Sequence, residues 1–205
     1  MQLLTFSSSI EAAATHAKQS GDLEDYGVYF KNLDTPFWFG INEEKDFLPA
    51  SLYKLPIALV INKEIEDGVI SRHERYLYTK SVDREDLSLI TSTTTLVVGT
   101  AYSVPDLVER MIEDSDNGAK NLLGSHLSPA YVDQLWKLTN LGAPKPNEEL
   151  SVRDYSFFFR ILYNATYLNL ADSERLLGYL AHSTYKNALA GGIPGAIPVA
   201  HKWGL

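Results

Sequence analysis

The chain has 205 residues, 18 Lys and Arg against 26 Asp and Glu, a formal net charge of −8 and no Cys. A chain of this length buries roughly 70% of its unfolded surface and so holds a core without staples. The missing cysteines exclude disulfides, thiolate metal sites and a cysteine nucleophile. The acidic balance argues against a nucleic-acid footprint, and no apolar run reaches the roughly 18 residues of a membrane span.

In chain order, residues 10–18 read as a helix with Ser9 as N-cap and Gly21 as stop. Residues 1–20 lack the basic start and the sustained apolar stretch of a signal peptide. Residues 26–31 (YGVYFK) and 37–41 (FWFGI) are strand-like and flank the turn residues Asn-Leu-Asp-Thr-Pro, which predicts a hairpin. Residues 51–66 (SLYKLPIALVINKEIE) are apolar on most faces and end at Asp67-Gly68, as expected of a helix buried mid-domain. Pro56 falls within its first two turns, where a lost hydrogen bond costs least.

Residues 71–100 show no clear period and read as loops and short pieces. Further helices are predicted at 104–112, from about 115 to 123, at 130–138, at 152–163 and at 173–181. Asn140 and Gly142 close the third of these, and residues 143–147 (APKPN) act as a breaker. The tail passes through Gly-Gly-Ile-Pro-Gly, and residues 197–203 (IPVAHKW) read as a strand. Strands, many helices and then a strand make an α+β plan over one domain, 1–205. Segments 26–50 and 189–205 supply its sheet portion, and 51–188 the mainly helical portion.

Three short signals carry chemistry. Ser51 and Lys54 stand three apart at the start of the buried helix, which puts both on one face. A lysine in an apolar site loses preference for its charged form and can serve as base toward a hydroxyl. The helix start also offers backbone N–H groups to a developing oxyanion. Ser115-Asp116-Asn117 opens a later helix, and His201-Lys202-Trp203-Gly204 lies in the terminal strand.

In this order and on these elements, the three signals resemble the S-x-x-K, S-D-N and K-T-G set of class A β-lactamases and penicillin-binding proteins. The resemblance spans nearly the whole chain. It implies an antiparallel sheet flanked by a mostly helical subdomain. It also implies that Ser51 is the acylated nucleophile, that Lys54 removes its proton, and that Ser115 relays a proton to the leaving nitrogen. Asn117 would bind the substrate's side-chain amide, and Lys202 with Trp203 would meet its carboxylate. The backbone N–H groups of Ser51 and Leu205 would form the oxyanion hole. The substrate would be a β-lactam or a peptidoglycan-like peptide, with no metal or organic cofactor. An extracytoplasmic or periplasmic location is likewise the family's, with no signal peptide in this chain.

Three departures shape the expectation. Lys-Trp-Gly replaces Lys-Thr-Gly, so an indole with one N–H stands where a hydroxyl would meet the substrate carboxylate. Carboxylate binding should weaken, or the pocket should favour another acyl donor. The family's Glu-x-x-Leu-Asn has its nearest match in Asn147-Glu148-Glu149-Leu150-Ser151, where Glu148 and Glu149 read as a surface pair. The acyl-enzyme should therefore persist. The family's strands and helix after the third motif would have to come from a longer chain, a second chain or a swapped protomer.

Two other readings stand beside a slow β-lactam hydrolase: a penicillin-binding-protein-like D-Ala-D-Ala peptidase or esterase, and a truncated relative that binds without chemistry. Elsewhere the signals are structural. None of His16, His73, His126, His182 and His201 pairs at metal-ligand spacing, and Phe157-Phe158-Phe159 reads as helix packing.

Overall fold

A computed structural model of the chain describes residues 2–79, 95–139, 149–187, 189–195 and 197–204. These residues fall into two compact units, one drawn from 1–48 and 145–160 and the other from 49–144 and 161–205.

The first unit begins with α1 (Gln2–Ser20), longer at its start than the sequence pattern suggested. Ser9 lies inside this helix and its Oγ donates to the Thr5 carbonyl at 2.8 Å, so it is not a cap. Gly21, at φ +84°, ends the helix in the left-handed region as expected. Next comes the hairpin of β1 (Val28–Lys31) and β2 (Trp38–Ile41). Its antiparallel register runs from Val28 opposite Ile41 to Lys31 opposite Trp38. Asn32 Oδ1 accepts from the backbone N–H groups of Asp34 and Thr35 at 2.8 and 2.9 Å, which fixes the turn. Phe30 and Phe39 stack at 5.2 Å across the pair, and Phe6 of α1 meets both edge-on at 5.8 Å. Two residues of β3 (Asp46–Phe47) pair antiparallel with two of β6 (Leu150–Ser151). Strands this short leave no alternation to read, so the sequence pattern missed them. The helix α6 (Val152–Tyr163), predicted over the same residues, follows with Phe158 fully buried.

The second unit is built around α2 (Lys54–Glu66), preceded by a 3₁₀ turn over Ala50–Tyr53. The predicted continuous helix from residue 51 is therefore split, with Ser51 in the tighter turn and Lys54 opening the α-helix. Leu55, Ala58, Leu59 and Ile61 have no exposed surface, as the all-round apolar pattern required. Each buried Leu or Ile contributes roughly 1.5–3 kcal/mol. Asp67 closes the helix and Gly68 turns the chain at φ +74°.

The stretch read as irregular holds a short ladder. Here β4 (Arg75–Leu77) pairs antiparallel with β5 (Ala101–Ser103), while residues 80–94 lie outside the described set. Ser103 then caps α3 (Val104–Glu113) by accepting from the Asp106 N–H at 3.3 Å. α3 packs against α2 and also against α4 (Asn117–Gly124) and α7 (Leu170–Ala181), and α5 (Pro129–Thr139) packs on α2. The expected closure at Asn140 and Gly142 and the breaker at 143–147 lie outside the described residues. α7 starts three residues before its predicted start because Asn169 caps it, accepting from the Asp172 N–H at 3.0 Å.

The tail differs from its expectation. It forms a 3₁₀ turn at Leu189–Gly192, and residues 197–203 carry no strand among the described residues. The β-branched and apolar composition that suggested one is present, but no described strand lies beside it to supply a ladder. Its backbone is instead tied to α7, the His201 N–H donating to the Leu180 carbonyl at 3.2 Å. The α+β plan itself holds: helices dominate, and all three described strand pairs are antiparallel.

Candidate active site

Four of the residues singled out from sequence converge in the second unit. Lys54 opens α2 with no exposed surface. Its Nζ donates to Ser51 Oγ at 3.1 Å, to Ser115 Oγ at 2.9 Å and to the Ser115 carbonyl. The spacing of three places Ser51 and Lys54 on one side across the join between 3₁₀ turn and α-helix. Lys202 reaches the same hydroxyl from the tail, its Nζ donating to Ser115 Oγ at 2.9 Å and to the Trp203 carbonyl at 3.2 Å. Burial pushes the Lys202 amine down to about 7.

The helix predicted to begin at Ser115 begins two residues later, at Asn117, with Asp116 as its cap. Asp116 Oδ1 accepts from the Ala119 N–H at 2.9 Å, whereas Oδ2 is buried with no hydrogen-bond partner. Only 2% of Asp116 is exposed, and burial raises its pKa. The backbone N–H groups of Ala119 and Gly118 and the charges of Lys54 and Arg110 act in the opposite direction. Freed from capping, Ser115 adopts φ +57°, which turns its carbonyl onto Lys54. Ala50, immediately before Ser51, also has a left-handed φ of +45°. Strain of this kind costs about 1–3 kcal/mol per residue and concentrates where side chains must be aimed.

Gly204 explains how the tail meets the Ser51 turn. A Cβ at this position would lie 3.1 Å from the Pro49 carbonyl oxygen and 3.5 Å from Ala50 Cβ. The backbone after Lys202 thus lies against the turn that carries Ser51, an approach only glycine leaves unhindered.

The remaining predicted residues are placed as follows. Asn117 is half-buried as the first residue of α4. Trp203 is half-buried, with the Lys202 ammonium 4.6 Å from its ring centroid and the Tyr185 ring 5.0 Å away. The Trp203 indole N–H is buried and unpartnered. Leu205 and Glu148 lie outside the described residues, and Glu149 is exposed. Asp116, part of the second sequence signal, caps α4, whereas nothing in the sequence pointed to Tyr185. Among the described residues, no group of three or more His, Asp or Glu is placed to hold a metal ion.

Comparison with known proteins gives three findings. The model of the family described as "Beta-lactamase enzyme family" matches residues 5–205. No curated protein matches the chain. Several solved structures share the fold. The structure of PBP-A superposes with a TM-score of 0.76 at 23% identity, covering 87% of this chain and 70% of that one. A mutant of PBP-A in an acyl-enzyme complex with penicillin G gives the same values. A β-lactamase from Chitinophaga pinensis DSM 2588 superposes at 0.74 with 22% identity, covering 87% of this chain and 72% of that one. One from Sphaerobacter thermophilus DSM 20745 gives 0.75 at 17%, with 91% and 73% covered.

Proposed function

Because the chain belongs to the β-lactamase enzyme family, we propose that it is a serine acyl-transfer enzyme acylated at Ser51 by β-lactams and slow to release the product. The observation that carries this reading is the buried Lys54 amine, within hydrogen-bond reach of both Ser51 Oγ and Ser115 Oγ.

In the proposed step, Ser51 Oγ attacks the amide carbonyl and its proton passes to the Lys54 amine. Collapse of the tetrahedral adduct breaks the C–N bond. The leaving nitrogen takes a proton from Ser115, and Ser115 recovers one from Lys54. The Lys202 ammonium lowers the energy of negative charge developing around this hydroxyl. Asn117 meets the substrate's side-chain amide. The backbone N–H groups of Ser51 and Leu205 receive the oxyanion.

Water then hydrolyses the ester. The carboxylates of Glu148 and Glu149 sit in a sequence that lacks the family's Glu-x-x-Leu-Asn pattern, and Glu149 is solvated. With that pattern altered, deacylation is the slow step. The penicillin G acyl-enzyme of a PBP-A mutant shows that a protein of this fold can carry such an intermediate.

Intact-protein mass spectrometry after incubation with benzylpenicillin tests the reading, with Ser51→Ala as control. An adduct on the wild type alone is expected, persisting over minutes. Penicillin left intact beside unmodified, folded protein would overturn it.

A further inference from the structure

The Lys202 ammonium is enclosed on the protein side. It donates to Ser115 Oγ and to the Trp203 carbonyl, and the face of the Trp203 ring lies 4.6 Å from it. The negative face of an indole stabilises a cation as a ligand carboxylate would, but offers no hydrogen bond to that carboxylate. The one donor of the indole, Nε1, is buried. Where the K-T-G pattern supplies a hydroxyl, this chain therefore supplies a flat apolar surface, extended by Tyr185 with ring centroids 5.0 Å apart. Both rings are half-buried, so part of that surface is open.

A carboxylate brought against Lys202 would lie beside the ring's negative face and lose water without gaining a hydroxyl donor. An uncharged or aromatic group would stack on the rings and leave the cation–π pair intact. Burial also pushes the Lys202 amine down to about 7, which weakens the cation that would draw a carboxylate.

We propose that Trp203, with Tyr185 beside it, makes this site select acyl donors that present an uncharged, apolar or aromatic group next to Lys202, over donors that present a carboxylate there. The substrate class is thus neutral esters and amides. This selection rests on acylation of Ser51 as read above. Trp203 is the specificity-determining residue, and the chemistry at Ser51 is unaltered.

The test compares acylation rates of the full chain by benzylpenicillin and by its methyl ester, which differ in that charge and one methyl group. Both are followed by intact mass, and a neutral fluorophosphonate serves as an independent reporter of the Ser51 nucleophile. The wild type is expected to react with the methyl ester at least about tenfold faster than with the free acid, in the range set by a single recognition group. Trp203→Thr should bring the ratio below one, and Trp203→Phe, which keeps a ring, should preserve the wild-type preference. A wild type that prefers the free acid, or reacts equally with both, overturns the inference even if no variant folds. A folded Trp203→Thr with an unchanged ratio overturns it as well. In each of those cases Ser51 is still labelled, so the acyl-transfer reading stands. If folded wild type takes no adduct from the fluorophosphonate or either penicillin, the acyl-transfer reading fails and this inference falls with it.

Discussion

Lys54 and Lys202 donate to one acceptor, Ser115 Oγ, each at 2.9 Å. A hydroxyl has two lone pairs and one proton, so two N–H donors saturate its lone pairs. When Lys202 is neutral, the hydroxyl proton can be donated to its amine instead. Ser115 is therefore wired to receive a proton on one side and release one on another, as a relay to a leaving nitrogen requires. Replacing Ser115 by Ala should slow acylation by benzylpenicillin by about 10²-fold, the usual worth of a positioned proton donor. Labelling by a fluorophosphonate, whose fluoride leaves without a proton, should fall much less. Equal losses with both reagents would show that Ser115 acts through structure and not through proton transfer.

The Lys202 amine sits at about 7 in the folded protein against 10.5 for an ordinary lysine, because burial disfavours its charged form. Its hydrogen-bond partners, Ser115 Oγ and the Trp203 carbonyl, are uncharged and do not offset that. Between about pH 7 and 10.5 the unfolded chain holds a proton on this lysine that the folded chain has released. Stability attributable to Lys202 accordingly rises with pH through this window. Lys202→Met removes the titration. In urea melts, the wild type should gain on this variant as pH is raised from 6.5 to 9.5. A constant difference between the two would show that Lys202 keeps an ordinary pKa.

What the sequence made legible divides along physical lines. The long apolar helix at Lys54–Glu66 and the aromatic hairpin at Val28–Ile41 could be read because their periods are strong and their stops lie in the local sequence. The Ser51–Lys54 pair was readable because a spacing of three holds in both the 3₁₀ turn and the α-helix. Three features were not readable, because they depend on tertiary partners. The split at Tyr53, the left-handed Ser115 and the unladdered tail each reflect what the chain packs against. Ser115 in particular read as a helix start, whereas Asp116 takes the cap and leaves Ser115 free to aim its carbonyl at Lys54.

The cap at Asp116 yields a separable prediction. Its Oδ1 satisfies the Ala119 N–H, and its Oδ2 is buried without a partner. Asp116→Ala should cost about 1 kcal/mol from the lost cap, a fall of about 2–4 °C in melting temperature for a chain of this size. Asp116→Asn keeps an acceptor for the cap and should recover most of that loss. Differential scanning calorimetry of the two variants decides the point. Equal melting temperatures for both would mean that the carboxylate charge beside Lys54, and not the cap, is what the fold depends on.

Away from the site, Asp172 joins the end of α2 to the start of α7 and sets how the fold responds to acid. Only 3% of the residue is exposed, and its carboxylate accepts from Arg72 Nη2 at 2.7 Å, from Asn169 Nδ2 at 2.9 Å and from Arg175. Asn169 donates in turn to Glu66 on α2, through its backbone N–H at 2.7 Å and its Nδ2 at 2.9 Å. Burial alone would raise the Asp172 pKa, but the hydrogen bonds from Arg72, Asn169 and Arg175 outweigh it and hold the carboxyl below its usual 3.8. A carboxylate depressed in the folded state contributes stability that is fully present above its unfolded value. That contribution is lost as pH falls through the lower, folded value. Asp172→Asn keeps the shape and removes the charge from two arginines. It should cost about 1.5–3 kcal/mol at pH 7, the range for a hydrogen bond to a charged group. The gap between wild type and variant should narrow below pH 3.8. Denaturant melts at pH 7 and pH 3 measure both quantities, and a gap that stays constant would show that the carboxylate is not depressed and that the loss at pH 7 is one of packing.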